Sequence, residues 1–263
     1  MDSSKNYSIK YDHFLKWRTS GLRDQDGIVV GADISQEWLL PWWWKNYRRD
    51  NANPVAFVDF GMSFEKKDWC RERGELIPLR IFDDFVTQKA DVAPKSIQYW
   101  EGDLGTAFWD FRSAWFKKPL ACLQSPFRRS IWIDLDCEIR GPLLNLFDYA
   151  DTPPGLGMVR DFGSILSDLD YTIYNSGVIS FRHHLPLVSD WARNCIERNS
   201  DFKGDQEVFS HLIAENQILI SQIDHKYNWS RLQEETGEEI IVHWHGVHGK
   251  KVIRSQINLE ELY

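Results

Sequence analysis

The sequence predicts a single α/β domain, a sheet covered by helices on both faces. Three features of the 263 residues point there. Short apolar, β-branched runs alternate with segments of helical periodicity. No internal repeat, low-complexity tract or Pro/Gly/Ser-rich linker divides the chain. Acids follow directly on apolar runs, at the strand ends where ligands gather in open α/β sheets.

The elements follow in order. Residues 1–26 are expected to be an N-terminal extension and 27–263 the domain. Gly27–Asp33 (GIVVGAD) reads as a buried strand, and Ser35 to about Arg49 as a helix with Ser35 as its N-cap. Within it, Trp42-Trp43-Trp44 after Pro41 reads as a wedge that fixes the helix onto the sheet. Pro54–Phe60 is a strand and Ser63–Gly74 a helix. Arg112–Leu123 is a helix, Ser125–Arg129 a loop, and Ser130–Asp136 (SIWIDLD) an apolar strand ending in acid. Strands are expected at Gly157–Arg160 and Tyr174–Phe181, helices at Leu187–Arg198 and Asp205–Glu215, then strands at Ile218–Ile223 and Glu239–His243.

Composition excludes several classes. Hydrophobic content of 43% allows a sizeable core. The formal net charge of −8 argues against nucleic acid as a partner. Cys70, Cys122, Cys137 and Cys195 form no CxxC pair and read as reduced thiols, not zinc ligands or a disulfide framework. The N-terminus, MDSSKNYSIKYDHFLKW, lacks the apolar run of a signal peptide, and no run approaches the ~20 residues of a membrane span. The expected location is the cytoplasm. Neither GxGxxG nor GxxxxGK[ST] occurs, which disfavours a Rossmann dehydrogenase or a P-loop nucleotidase.

Asp134-Leu135-Asp136 carries the chemistry. In an extended segment residues two apart point the same way, so both carboxylates can face one point. Two such acids repel unless a cation lies between them, and hard oxygen ligands suit Mn²⁺ or Mg²⁺, which also bridge to substrate phosphates. The C-terminal HWHGVHGKK, His243–Lys251, adds three histidines, a glycine and two lysines, a pattern for a metal and phosphate site or for a surface loop.

Together these motifs resemble glycosyltransferase family 8, the group of glycogenin and the bacterial lipopolysaccharide galactosyltransferases, with a GT-A fold. Five segments occur in the family's order between Gly27 and Lys251. They are Gly31-Ala32-Asp33, Ile131–Asp136 with its D-x-D, Tyr174-Asn175-Ser176-Gly177-Val178, Gly204-Asp205-Gln206, and His243-Trp244-His245-Gly246. The resemblance implies a Rossmann-like mixed sheet flanked by helices and a retaining hexosyl transfer from a UDP-sugar. It implies Asp134, Asp136 and His243 as ligands of Mn²⁺. Asp33 would contact the uracil and Ser35 the ribose, and Asn175 and Asp205 would hold sugar hydroxyls. Gln206 would lie near the anomeric carbon, Lys117 near the donor sugar and phosphate, and Lys250 and Gly246 at the diphosphate. The acceptor would be a glycan, a lipid-linked saccharide or a protein.

One departure is plain. The family ends histidine-aromatic-x-glycine-x-x-lysine-proline-tryptophan, whereas here Gly249 takes the lysine position, Lys250 follows it, and no Pro-Trp comes after. The metal ligand therefore stands between His243 and His245. Alternative readings exist for each segment: Asn175-Ser176-Gly177 as a strand with a bulge, Asp205 as a helix cap, and His183, His184 and His211 as structural histidines. Tyr227-Asn228-Trp229 receives no role. Two other functions compete: a catalytically silent nucleotide-sugar binding module of the same fold, and a metal-dependent nucleotidyltransferase. The second lacks its basic, glycine-rich triphosphate loop.

Overall fold

The computed structural model describes residues 22–79, 81, 85–165 and 171–257. In chain order the elements are β1 (Arg23–Ala32), α1 (Leu40–Asp50), β2 (Val55–Asp59), α2 (Phe64–Arg71), β3 (Glu75–Pro78), α3 (Pro94–Leu104), α4 (Phe108–Leu123), β4 (Phe127–Ile133), β5 (Cys137–Ile139), β6 (Leu156–Arg160), α5 (Phe162–Ile165), β7 (Tyr174–Arg182), α6 (Pro186–Glu197), α7 (Asp205–Glu215), β8 (Ser221–Gln222), β9 (Trp229–Ser230), β10 (Ile241–His243) and α8 (Gly246–Gln256).

Seven strands form one sheet in the order β3-β2-β1-β4-β7-β6-β8. All run parallel except β7, which is antiparallel to both β4 and β6. That reversal brings the start of β7 to the carboxyl ends of its neighbours. A second sheet, β5-β10-β9, stands beyond the end of β4, with His243 of β10 opposite Cys137 of β5.

Alternation along β1 builds two cores. Ile28, Val30 and Ala32 join one with Trp42, Trp43 and Tyr47 of α1. Val29 joins the other with α4, α6 and α7 through Phe116, Trp191 and Phe209. Residues two apart on a strand share a face, so each core receives every second side chain. The tryptophan run acts as the expected wedge, because Trp42 and Trp43 are buried and Trp43 stacks on Tyr47.

Several boundaries differ from the sequence expectation. The strand β1 starts at Arg23, ahead of the expected Gly27, and pairs there with β4. Helix α1 begins at Leu40 after a 3-10 turn at Glu37–Leu39. Ser35 is therefore not its N-cap; its hydroxyl turns back to Asp33 Oδ1 at 2.7 Å. Ser63 does cap α2, accepting from Lys66 N–H. The expected loop at 125–129 is half strand, because β4 starts at Phe127. Of the expected strand at 218–223 only Ser221–Gln222 is strand, and the Ile223 N–H continues onto the Met158 carbonyl of β6 at 3.0 Å.

Candidate active site

The loop after β1 places Asp33, whose Oδ1 accepts from the Ser35 and Gln36 backbone N–H groups at 2.9 and 3.0 Å. A short acid that caps its own turn fixes the loop's direction. Lys117 donates to the Phe60 carbonyl at 3.0 Å, beside the end of β2.

The D-x-D segment is a tight turn, not the extended strand end that the sequence suggested. Cys137 N–H closes it on the Asp134 carbonyl at 3.1 Å, and Asp134 N–H donates to Gly177 of β7 at 2.8 Å. Leu135 packs into the core, and both carboxylates nonetheless face one imidazole. His243 Nε2 lies 3.3 Å from Asp136 Oδ1 and 3.9 Å from Asp134 Oδ2. The pairing of β10 with β5 and the Trp244 N–H to Asp136 carbonyl bond, 2.9 Å, hold the two segments together.

His243 is oriented from behind. Its Nδ1 is 3.0 Å from Asn228 Oδ1, an atom that can only accept, so Nδ1 donates there and Nε2 turns to the acids. Asn228 in turn donates to Asn175 Oδ1 at 2.9 Å, and Asn175 Nδ2 donates to Asp161 at 2.8 Å. Gly177 leaves room for the ring, since a Cβ there would lie 2.4 Å from His243 Cε1. The β6–β7 register shifts at this point, so the irregularity expected at the glycine coexists with a place in the site.

His245 points elsewhere. Its Nε2 is 2.8 Å from Ser230 Oγ. Burial, with His243 and Arg231 nearby, pushes its pKa down to about 4. Of the two histidines, His243 is the one that faces the D-x-D carboxylates.

Two lysines answer the acids. Lys250 Nζ is 2.6 Å from Asp136 Oδ2. Burial would push the Asp136 carboxyl up, but Lys250 and His243 hold it well below the usual range. Lys118, fully buried, lies 3.1 Å from Asp134 Oδ1 and 3.5 Å from Asp205 Oδ2, and donates to Ser176 Oγ at 2.9 Å. Burial lowers its pKa, but Asp134 and Asp205 outweigh that and raise it. Asp205 opens α7 and is 3% exposed, and its Oδ2 makes no hydrogen bond. Burial raises its carboxyl, and Asp134 adds to the rise against Lys118. Gln206 Oε1 accepts from Ser176 N–H at 3.2 Å.

The structure therefore gathers Asp134, Asp136, Asn175, Asp205, Gln206, His243 and Lys250 around one point. Asp33, Ser35 and Lys117 stand to one side, at the ends of β1 and β2. Sequence reasoning missed Lys118, Asn228 and the Trp132 indole, which donates to Asp134 Oδ1 at 2.7 Å. The adjacent Lys117-Lys118 pair was the signal for the first, and Asn228 lay in a segment left without a role.

The departure at the C-terminal motif has a steric cause. Gly246 opens α8 with φ +77°, a conformation that favours glycine. A Cβ on Gly249 would lie 1.8 Å from the Trp244 carbonyl oxygen. A lysine at 249 does not fit this backbone, and Lys250, one residue on, reaches Asp136 instead.

Asp136 and His243 lie close enough together to share a divalent cation, a hard carboxylate and an imidazole whose Nε2 faces it while Asn228 holds the other nitrogen, and the Asp134 carboxylate stands 3.9 Å from the same Nε2. Cys137 Sγ also lies within 4.8 Å of donor atoms of Asp136 and His243. Burial and the nearby acids push its thiol well up, and hard cations such as Mn²⁺ and Mg²⁺ prefer oxygen donors to sulfur. The carboxylate pair is the better donor set.

No family model matches the sequence, and no curated protein matches it. Solved structures do resemble the fold. An active-site mutant of LgtC aligns at 14% identity and TM-score 0.53, over 90% of this chain and 98% of that one. The galactosyltransferase LgtC in complex with donor and acceptor sugar analogues aligns at 15% and 0.52 over the same shares. The apo glycosyltransferase GlyE of Streptococcus pneumoniae TIGR4 aligns at 14% and 0.51, over 86% of this chain and 55% of that one. At such identities the likeness is one of fold: the chain has the mixed α/β architecture of the GT-A glycosyltransferases. No helix among the described residues is long and apolar enough to cross a membrane.

Proposed function

We propose that the protein is a metal-dependent, retaining glycosyltransferase that moves a hexose from a UDP-sugar to an acceptor hydroxyl, with the chemistry of glycosyltransferase family 8. The observation that carries this is the convergence of Asp134, Asp136 and His243 at the carboxyl end of the sheet, flanked by Lys118 and Lys250. Asp134, Asp136 and His243 would hold Mn²⁺, or Mg²⁺, which supplies charge neutralisation at the donor diphosphate. Asp33 and Ser35 receive the nucleoside, and Lys250 with the backbone at Gly246 receives the diphosphate. Asn175 and Asp205 bind the donor sugar hydroxyls, Gln206 lies under the anomeric carbon, and Lys117 stays on the donor side.

Lys118 is the cation we assign to the reaction centre, since it joins Asp134 to Asp205. The bond from the anomeric carbon to the β-phosphate oxygen breaks, its electron pair stays on UDP, and Lys250 stabilises that charge. The acceptor oxygen attacks the same face, and its proton passes to the leaving phosphate oxygen. Four buried free cysteines support a reducing compartment, the cytoplasm.

UDP release from UDP-glucose, UDP-galactose and UDP-N-acetylglucosamine tests the assignment. Mn²⁺-dependent release, abolished by EDTA and by Asp136→Asn, is expected. Tight UDP-sugar binding with no release in the presence of acceptors would make the protein a silent binding module instead.

A further inference from the structure

One face of α4 crosses the site. Phe111, Trp115 and Lys118 fall at i, i+4 and i+7, the spacing that aligns side chains on a helix. Lys118 meets Asp134 and Asp205. The Trp115 ring lies against Gly204, the residue before Asp205, where an added Cβ would stand 3.2 Å from Cε3. At the other end Phe111 lies under the Lys250 ammonium, 5.8 Å from ring centre to Nζ. The two rings thus span the gap from Asp205 to the Lys250–Asp136 pair, and both are half-buried. Four residues of helix cover about 6 Å, the breadth of one sugar ring.

The helix is a rigid mount. Arg112, one turn before Trp115, is buried and donates to the Thr87 and Phe202 carbonyls at 3.0 Å each and to the Asn199 carbonyl. Phe108 stacks on Trp115 with centroids 6.5 Å apart.

We propose that Phe111 and Trp115 form the stacking platform for the acceptor, and that the acceptor is therefore a saccharide. This rests on the glycosyltransferase reading above. A pyranose has an apolar C–H face and a rim of hydroxyls, so an aromatic face binds it and the polar rim is left for hydrogen bonds. The donor's own groups are provided for by Asn175, Asp205, Lys250 and the carboxylate cluster, all polar. The apolar wall beside them suits the second ring that has to approach the anomeric carbon.

The experiment compares wild type with Phe111→Ala, Trp115→Ala and the conservative Trp115→Phe, each checked by circular dichroism. Donor affinity is read by thermal shift with UDP-sugar and Mn²⁺. Acceptor KM is read over methyl hexosides, lactose, maltose and cellobiose. Saccharide binding to the UDP–Mn²⁺ complex is read by tryptophan fluorescence. The expected result is an acceptor KM raised about tenfold by either alanine and less by Trp115→Phe, with donor affinity within about twofold of wild type. An unchanged acceptor KM, an equal loss of donor affinity, or donor binding with no saccharide response in wild type overturns the platform. No UDP-sugar binding by wild type defeats the glycosyltransferase reading itself, and that outcome is read separately in the thermal-shift arm.

Discussion

The Lys250 ammonium stands 2.6 Å from Asp136 Oδ2, while His243 Nε2 faces the other oxygen of the same carboxylate at 3.3 Å. One buried acid is thus shared between a helix-borne cation and an imidazole. A divalent ion held by Asp136 and His243 would compete with Lys250 for that charge, and a diphosphate would offer Lys250 a new partner. Replacing Lys250 with Met should therefore tighten Mn²⁺ binding to the nucleotide-free protein while weakening UDP binding in the presence of Mn²⁺. The loss should be about 10-fold or more, as for a charged hydrogen bond. Isothermal titration of each ligand reads both changes, and the opposite signs are what distinguish this from general damage.

Restoring the family's lysine position should not help. The double change Gly249→Lys with Lys250→Gly puts a side chain where a Cβ already meets the Trp244 carbonyl at 1.8 Å. We expect lower stability by roughly 1–3 kcal/mol, as in overpacked sites, and no gain in UDP release. Urea unfolding and the release assay check the two parts.

Asn228 should act by orienting His243, the proposed metal ligand. Asn228→Leu removes the acceptor for His243 Nδ1–H. Loss of such partners typically costs about 10–100-fold in metal affinity. Mn²⁺ titration followed by electron paramagnetic resonance measures it, with the fold checked by circular dichroism.

Lys118 and its neighbour separate cleanly. Lys118→Met leaves Asp134 and Asp205 without their shared buried cation, a change worth roughly 3–5 kcal/mol in stability. Lys117→Met loses only a half-buried hydrogen bond to Phe60 and should cost about 1 kcal/mol. Urea midpoints decide between these values.

Asp59 gives the pH prediction. Burial would raise its carboxyl, but Lys67 at 2.8 Å and the Met62 and Gly61 N–H groups bring it below the ordinary 3.8. A carboxyl depressed in the folded state contributes stability above its unfolded value, and loses that contribution as pH falls through the folded one. Asp59→Asn should therefore lower the melting temperature at pH 7, with the gap to wild type closing below about pH 4. Melting curves from pH 7 to pH 3 show whether it closes.

Strands β1, β2, β4 and β7 were legible because each is a short apolar run whose residues serve two cores. The wedge of Trp42 and Trp43 was legible for the same reason. Helix α3 and the start of α4 were not, since they pack as a satellite cluster around Trp100, Phe108 and Arg112, where a buried guanidinium hides the apolar period. Within the site, the D-x-D acids were found as residue types, but their turn was not. It is set by pairing with Gly177 and Trp244, contacts distant in sequence. Lys118 over Lys117 is a matter of helical phase, which spacing to the D-x-D segment alone does not fix. The place of Asn228 depends on β9 lying beside β10, again a long-range contact.

Metal-linked recognition of a UDP-sugar is tested most directly by thermal stabilisation with a panel of nucleotide-sugars, each with Mn²⁺ and with EDTA. Ligand at a hundredfold excess over Kd stabilises the folded state by about 2.7 kcal/mol, or roughly 5–10 °C for a chain of this size. A shift of that order with one UDP-sugar, lost with EDTA and in Asp134→Asn, is the result expected. Equal melting temperatures with every UDP compound under both conditions would contradict the donor site.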